Sequence, residues 1–253
     1  MRIVSWNVNG LRSVKKNGYF EQIIELQPDA ICLQETKLSD SIILEDMLPL
    51  GYRYYCSLSK RKGLYGVAII TKLPVKRVSY TSGFERCDSE GRFLLIEFEN
   101  DITLVCLYMP HGKRDRSDIS YKIALATYLI SYFKSIAYKP VVIATDFNIA
   151  HKDVDLAHPS ENRANVMFTN DERKVVDFLL SVGYTDAFRY FCKDEGKYSW
   201  WTYAFNARER NLGWRIDYIF ISDTLKSKVI SIDMHSSMFG SDHCPLEINV
   251  DWM

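Results

Sequence analysis

No run of about 18 consecutive apolar residues occurs anywhere in the chain, so no membrane-spanning helix is expected. The opening residues Met1-Arg2-Ile3-Val4-Ser5-Trp6-Asn7 lack the apolar core of a signal peptide and enter a strand pattern at once. A cytoplasmic setting is the expectation. The six cysteines, Cys32, Cys56, Cys87, Cys106, Cys192 and Cys244, contain no Cys-x-x-Cys pair. That excludes the familiar zinc patterns and argues against a disulfide framework. Cys32 and Cys106 lie within apolar runs and read as buried thiols. Neither sign of charge is in excess, because 32 basic residues balance 32 acidic ones. A protein that held nucleic acid by bulk charge would be basic overall, so any such contact must come from local clusters. No Pro-, Ser- or Gly-rich linker, low-complexity segment or residue-level repeat divides the 253 residues. Residues 1–253 therefore read as one domain.

Hydrophobic residues make up 47% of the chain, enough for a sizeable core, and their spacing locates the elements. Arg2–Trp6, Ala30–Gln34, Tyr52–Leu58, Val67–Thr71 and Val141–Thr145 read as strands. Phe93–Glu99 and Ile102–Tyr108 flank Asn100-Asp101 as a tight hairpin. Tyr198–Tyr203, Trp214–Ile221, Val229–Met234 and Leu246–Val250 complete the strand set. A short helix carries Phe20, Ile23, Ile24 and Gln27 and closes at Pro28-Asp29. A longer one spans Ser117 to Ile136, with Ile119, Ile123, Ala126, Ile130 and Phe133 at helical spacing. A polar loop runs from His151 to Phe168, and Thr169-Asn170-Asp171-Glu172 then has the capping-box pattern. Two groups of strands with amphipathic helices imply two sheets packed face to face, helices outside.

Polar groups gather where these strands stop. Asn7, Glu35, Asp146, Asn148, Asp217, Asp242 and His243 all end or flank apolar runs. Strand ends are where α/β folds bind ligands, and buried carboxylates are costly unless paired or metal-bound. One shared site is the expectation. Its oxygen donors suit a hard cation, Mg²⁺ or Mn²⁺. A carboxylate such as Asp217 could fix the tautomer of His243 and raise its pKa. Asp242 and His243, adjacent at a strand entrance, would point to opposite faces and do different jobs. The chemistry suggested is hydrolysis of a phosphodiester or phosphomonoester by in-line attack of water.

These residues stand in motifs that cover essentially the whole chain. Trp6-Asn7-Val8-Asn9-Gly10, Leu33-Gln34-Glu35-Thr36-Lys37, Tyr65-Gly66-Val67-Ala68, Glu90-Gly91-Arg92 and Tyr108-Met109-Pro110 fill the first half. Asp146-Phe147-Asn148, Trp201-Thr202-Tyr203, Trp214-Arg215-Ile216-Asp217-Tyr218 and Ser241-Asp242-His243-Cys244-Pro245 fill the second. In this order they resemble exonuclease III-type apurinic/apyrimidinic (AP) endonucleases. Ser-Asp-His is shared by the wider endonuclease/exonuclease/phosphatase superfamily. Leu-Gln-Glu-Thr-Lys and Trp-Arg-Ile-Asp-Tyr are far more specific to the DNA-repair branch.

The resemblance implies a four-layer α/β sandwich, two mixed sheets flanked by helices. It implies a Mg²⁺-dependent cut on the 5′ side of an abasic site in double-stranded DNA, with Mn²⁺ able to substitute. The products would be a 3′-hydroxyl and a 5′-deoxyribose phosphate. Exonuclease action from 3′ to 5′, cleaning of damaged 3′ ends and a monomeric state are further implications. By resemblance Glu35 binds the metal, with Asn7 close by. Asp146 either activates the water or protonates the leaving oxygen, and the sequence leaves both open. Asn148 orients the nucleophile or phosphate, Tyr108 hydrogen-bonds the phosphate, and Asp217 holds His243 against the phosphoryl oxygens. Asp146, Asn148, Asp242 and His243 are further candidates around the metal, whose number is open.

Trp200, Trp214 and Ile216 look like the pocket that takes the base-less sugar once it is flipped out. Arg61, Lys62, Arg114, Asn206 and Arg208, in polar loops, would touch the DNA backbone. The basic clusters in these loops and at Lys15-Lys16 are either solvated loops or, on one face, a phosphate track. The chain departs from the family pattern at Thr145, usually Gly, at Asn9, Asp in some members, and at His111, usually Asn or Gln. Trp200 stands where Phe is common. None of these removes a residue the chemistry requires. A phosphomonoesterase or phospholipase of the same superfamily is the rival reading, and a binding module with a dead site the third.

Overall fold

Strands form where apolar side chains can be covered, and this chain covers most of them on both faces. The computed structural model describes residues 1–252; of Ile42, Ile43 and Asp46 it describes the backbone alone. The strands are β1 (Arg2–Asn7), β2 (Ala30–Gln34), β3 (Arg53–Ser57), β4 (Val67–Thr71), β5 (Val75–Ser79) and β6 (Phe93–Phe98). They continue with β7 (Thr103–Tyr108), β8 (Val141–Asp146), β9 (Tyr184–Asp186), β10 (Asp217–Ser222), β11 (Val229–Met234) and β12 (Leu246–Val250). The helices are α1 (Leu11–Lys16), α2 (Glu21–Glu25), α3 (Ile42–Met47), α4 (Glu85–Ser89), α5 (Ile119–Ile136), α6 (Pro159–Asn162), α7 (Asn170–Ser181) and α8 (Ala187–Phe191).

One six-stranded sheet runs β11-β12-β1-β2-β4-β3 and the other β5-β6-β7-β8-β10-β9. Each is mixed: β1–β2 and β7–β8 are parallel and sit among antiparallel neighbours. Strand alternation sorts the side chains. Ala30, Cys32, Ile69, Cys106, Val142 and Ala144 meet between the sheets. Val105, Leu107, Val141 and Ile143 pack outward on residues of α5 and α7. Val4, Trp6, Ile31 and Leu33 pack outward on residues of α1 and α2. The result is the expected four-layer sandwich.

Register then places the chemistry. Tyr108 pairs with Asp146 across β7–β8, and Asp146 pairs with Asp217 across β8–β10. Asn7 ends β1 opposite Gln34, one residue before Glu35. Thr169 caps α7 as its motif predicts: Thr169 Oγ accepts from Glu172 N, and Glu172 Oε2 accepts from Thr169 N at 3.1 Å.

Some expectations are corrected. Tyr198–Tyr203 forms no strand; Trp200 makes only isolated bridges to Trp214 and His243. The strand expected from Trp214 starts at Asp217, because Trp214 and Ile216 turn into a separate aromatic cluster. Asp242 and His243 precede β12 by several residues, so strand alternation does not govern them. The polar loop after β8 contains α6. Strands β5 and β9 and helices α1, α3, α4 and α8 lie outside the elements expected from sequence. The buried stripe of α5 holds Ala126, Ile130 and Phe133 as predicted, together with Lys122, Leu125 and Leu129, while Ile119 and Ile123 are only half-buried.

Candidate active site

The C-terminal motif is clamped onto β1 before any chemistry is added. Ser241 Oγ donates to Asn7 O at 2.8 Å and accepts from His243 N at 3.2 Å, and Trp6 Nε1 donates to His243 O at 3.1 Å. His243 is thereby buried in a cavity of about 220 Å³ lined by Asn9, Glu35, Tyr108, Asp146, Asn148 and Trp200 among others.

His243 Nδ1 lies 2.8 Å from Asp217 Oδ2, and its Nε2 lies 4.0 Å from Asp146 Oδ2. Asp217 Oδ2 also accepts from Ser199 Oγ at 2.6 Å. An ionised carboxylate only accepts, so the proton on the Asp217 side belongs to Nδ1 and Nε2 is turned toward the cleft. Burial pulls the imidazole pKa down, but the charges of Asp217 and then Asp146 outweigh it and push it up to about 10. Burial first, then the charge of Asp217, raises Asp146 to about 8 against the opposing pull of His243. The two groups titrate as a unit in which the imidazole keeps its proton at neutral pH.

Asp146 is held from both sides. Its Oδ1 accepts from Asn148 N at 3.0 Å, and its Oδ2 accepts from Asn7 Nδ2 at 2.8 Å and Asn148 Nδ2 at 3.2 Å. The backbone turn this requires puts Asn148 at φ 55°, a region asparagine tolerates. Asn148 Nδ2 also donates to Met109 O at 2.9 Å. Tyr108 stays a phenol, because burial and the charge of Glu35 both raise its pKa. The buried Arg92 guanidinium lies 4.6 Å from the Tyr108 ring centre and 4.1 Å from that of Tyr65, fixing the ring.

Glu35 sits at the same cleft. Asn7 Nδ2 bridges Glu35 Oε2, at 3.2 Å, and Asp146. Asn7 Oδ1 accepts from Asn9 N, so this amide links two carboxylates and spends its oxygen on the backbone. Lys37 Nζ lies 3.2 Å from Glu35 Oε1 and 2.5 Å from Asn9 Oδ1, which shows that this edge of the cleft draws in a cation. Hard oxygen donors around a site that attracts positive charge fit Mg²⁺ or Mn²⁺. Ligand atoms of Asp146, Asp217 and His243 also lie within 4.8 Å of one another, of which only Asp217 and His243 share a hydrogen bond.

Asp242 has a different task from His243. Its Oδ1 accepts from Asn9 Nδ2 and its Oδ2 from Trp200 Nε1, each at 2.9 Å. It thus ties the cleft to the aromatic wall. Trp200, Trp214 and Ile216 do converge, with Phe168 and Met167, in one cluster. Arg61, Lys62 and Arg114 are exposed on loops, and Asn206 is exposed at the end of the 3-10 turn Ala204–Asn206. Arg208 is half-buried and its guanidinium donates to the carbonyls of Ser236, Met238 and Ser241, so its reach is spent inside the protein. Ser199 and Arg92 were not singled out from sequence. The one signal for Ser199 was its place beside Trp200, and for Arg92 its place in Glu90-Gly91-Arg92.

Two mixed sheets closing on a carboxylate–imidazole cleft define a class. The chain belongs to the endonuclease/exonuclease/phosphatase family, whose model matches residues 4–243. It is an enzyme of the exodeoxyribonuclease and AP endonuclease type, a hydrolase. It is 39% identical over 99% of its length to all of the exodeoxyribonuclease of Bacillus subtilis. It is 37% identical over 98% of its length to the DNA repair nuclease APEX1 of Danio rerio, covering 81% of that protein. Among solved structures, an AP endonuclease from Archaeoglobus fulgidus superposes with a TM-score of 0.87 at 27% identity, covering 99% of both chains. A 3′ phosphatase from Neisseria bound to a product DNA hairpin superposes at 0.85 and 26%, covering 100% of both. No helix among the described residues is long and apolar enough to cross a membrane.

Proposed function

We propose that this nuclease hydrolyses the phosphodiester on the 5′ side of an abasic site in duplex DNA, with Mg²⁺ as cofactor. The same cleft would serve 3′→5′ exonuclease and 3′-end-cleaning reactions. The observation that carries the reading is the juxtaposition of the Ser199–Asp217–His243 chain with Asp146, beside a wall of Trp200, Trp214 and Ile216.

In this reaction a water oxygen bonds to phosphorus and the bond from phosphorus to the upstream O3′ breaks. The 5′-phosphate stays with the abasic sugar. His243, charged and aimed by Asp217, binds a phosphoryl oxygen and offsets its developing charge. Tyr108 donates a second hydrogen bond without adding a formal charge. Asp146 handles the proton that passes between the attacking water and the leaving oxygen, and Asn148 orients the group it acts on. Glu35, with Asn7 beside it, would hold Mg²⁺, which would supply charge neutralisation at the phosphate. Trp200, Trp214 and Ile216 accept a sugar without a base and reject a full nucleotide by size. Arg61, Lys62, Arg114 and Asn206 position the backbone.

The polar groups of the cleft span the chain from Asn7 to His243, which supports residues 1–253 as one catalytic unit; a monomer is the state proposed. The six cysteines are all free, which supports a reducing, cytoplasmic setting. The test is incubation with a duplex bearing one abasic site, with Mg²⁺ and then with chelator. Nicking that requires the metal is the expected result. An intact duplex together with turnover of small phosphomonoesters would overturn the reading.

A further inference from the structure

Helix α5 drives a lysine into the core directly beneath the cleft. Lys122 is fully buried, and so is its partner Glu172 on α7. Lys122 Nζ has three donors and uses all three: Glu172 Oε1 at 2.6 Å, Asn148 O at 2.6 Å and His111 O at 3.2 Å. The two carbonyls belong to residues that line the cleft. Glu172 is fixed in turn by the α7 capping box and by Met167 N at 3.0 Å.

A buried ion pair is an expensive way to fill space, and an apolar pair of the same volume would usually be at least as stable. Here the ammonium reaches something an apolar side chain cannot: the carbonyl of a residue in left-handed conformation whose amide touches Asp146. With its carbonyl anchored below and Nδ2 held by Met109 and Asp146, the Asn148 amide has one orientation. Among the described residues no protein donor meets its Oδ1, which is left for the cleft.

We propose that Lys122 and Glu172 are positioning residues for the reaction, acting through Asn148. The proposal rests on the nuclease reading above and adds a role outside the cleft to it. The decisive variant is the apolar pair Lys122→Met with Glu172→Met. It should fold, with a melting temperature lowered by the loss of the α7 capping contacts but still well above the assay temperature. Single-turnover nicking of an abasic duplex at saturating Mg²⁺ should fall about 100-fold, the scale of a misplaced catalytic group, while Kd for the duplex moves less than about threefold. In an Asn148→Ala background the same pair should cost less than about threefold more, because residues acting as one unit are not additive. Glu172→Gln keeps one acceptor oxygen of the two, removes the charge, and should slow nicking about tenfold if the apolar pair does not fold.

A folded apolar pair that nicks at the parent rate overturns the proposal. So does a loss that multiplies fully with that of Asn148→Ala, which would mark a general structural defect. Exchange of the Asn148 side-chain amide hydrogens, followed by ¹⁵N NMR, reports without any turnover. It should speed up at least about tenfold in the apolar pair, and unchanged exchange contradicts the proposal even if the parent protein proves inert toward abasic DNA.

Discussion

Asp217 Oδ2 receives two protons' worth of hydrogen bonding, from Ser199 and from His243. Ser199→Ala leaves that oxygen held by the imidazole alone and frees Asp217 to rotate. Single-turnover nicking should drop about tenfold, the worth of one buried hydrogen bond to a charged group; an unchanged rate would remove Ser199 from the site. Asp146→Asn and His243→Ala should each cost about three or more orders of magnitude in rate with DNA affinity retained, and activity retained in either contradicts its role. Glu35→Ala should raise the Mg²⁺ concentration needed for half-maximal rate, and a flat Mg²⁺ response would speak against Glu35 as ligand. At this scale much was legible, since Glu35, Asp146, Asp217 and His243 end or flank apolar runs that can hardly bury a lone charge. Lys122 and Glu172 were not, because a lysine on a helix reads as solvent-facing until the packing of both helices is known.

Strands buried on both faces announced themselves, as did β3 and β11 at the margins of the first sheet; β5 and β9 at the margins of the second did not. β5 reads Val75-Lys76-Arg77-Val78-Ser79, an edge strand whose charges guard its open side, and β9 is only three residues long. The aromatic run from Tyr198 misled because its side chains split between two clusters, Trp200 in one and Tyr198 and Trp201 in the other, while its backbone pairs at single bridges. What fixes the start of β10, and so Asp217, is a buried charge network. Arg215 Nε donates to Asp155 Oδ1 at 2.8 Å and its Nη2 to Asp186 Oδ2 at 2.7 Å, and Arg189 adds a bond to Asp155 at 2.7 Å. Burial would raise the Asp155 pKa, but Arg215 and then Arg189 outweigh it and hold the carboxyl down at about 2. Its folded pKa is thus below the unfolded value of about 3.9. The stability it contributes is complete above about pH 4 to 5 and is lost as pH falls toward 2. Asp155→Asn should destabilise by about 3 kcal/mol at neutral pH, the cost of breaking a buried pair. The gap between parent and variant in denaturant titrations should close as pH drops; a gap that does not change with pH would contradict the network.

Across the whole molecule the two sheets are joined beneath the cleft by Gln34, whose Nε2 donates to Ser5 Oγ at 3.0 Å and Ala144 O at 3.4 Å. The sheets thereby hold residues from positions 7 to 243 in one cavity, which no local reading of sequence could place to within an ångström. A neutral chain must also concentrate its positive charge locally to hold DNA. Replacing Arg61 and Lys62 by Ala should lower the slope of log K against log salt by about 2, with no change in sequence preference; an unaltered slope would place that loop off the DNA. On the proposed function these convergent groups cleave the bond from phosphorus to O3′ beside an abasic sugar. The most direct test is the end group left on a 5′-labelled strand after cutting in Mg²⁺. The account predicts a 3′-hydroxyl that a DNA polymerase extends at once, absent with chelator and absent with His243→Ala. A 3′-phosphate or unsaturated sugar end, or no cut at all, would contradict it.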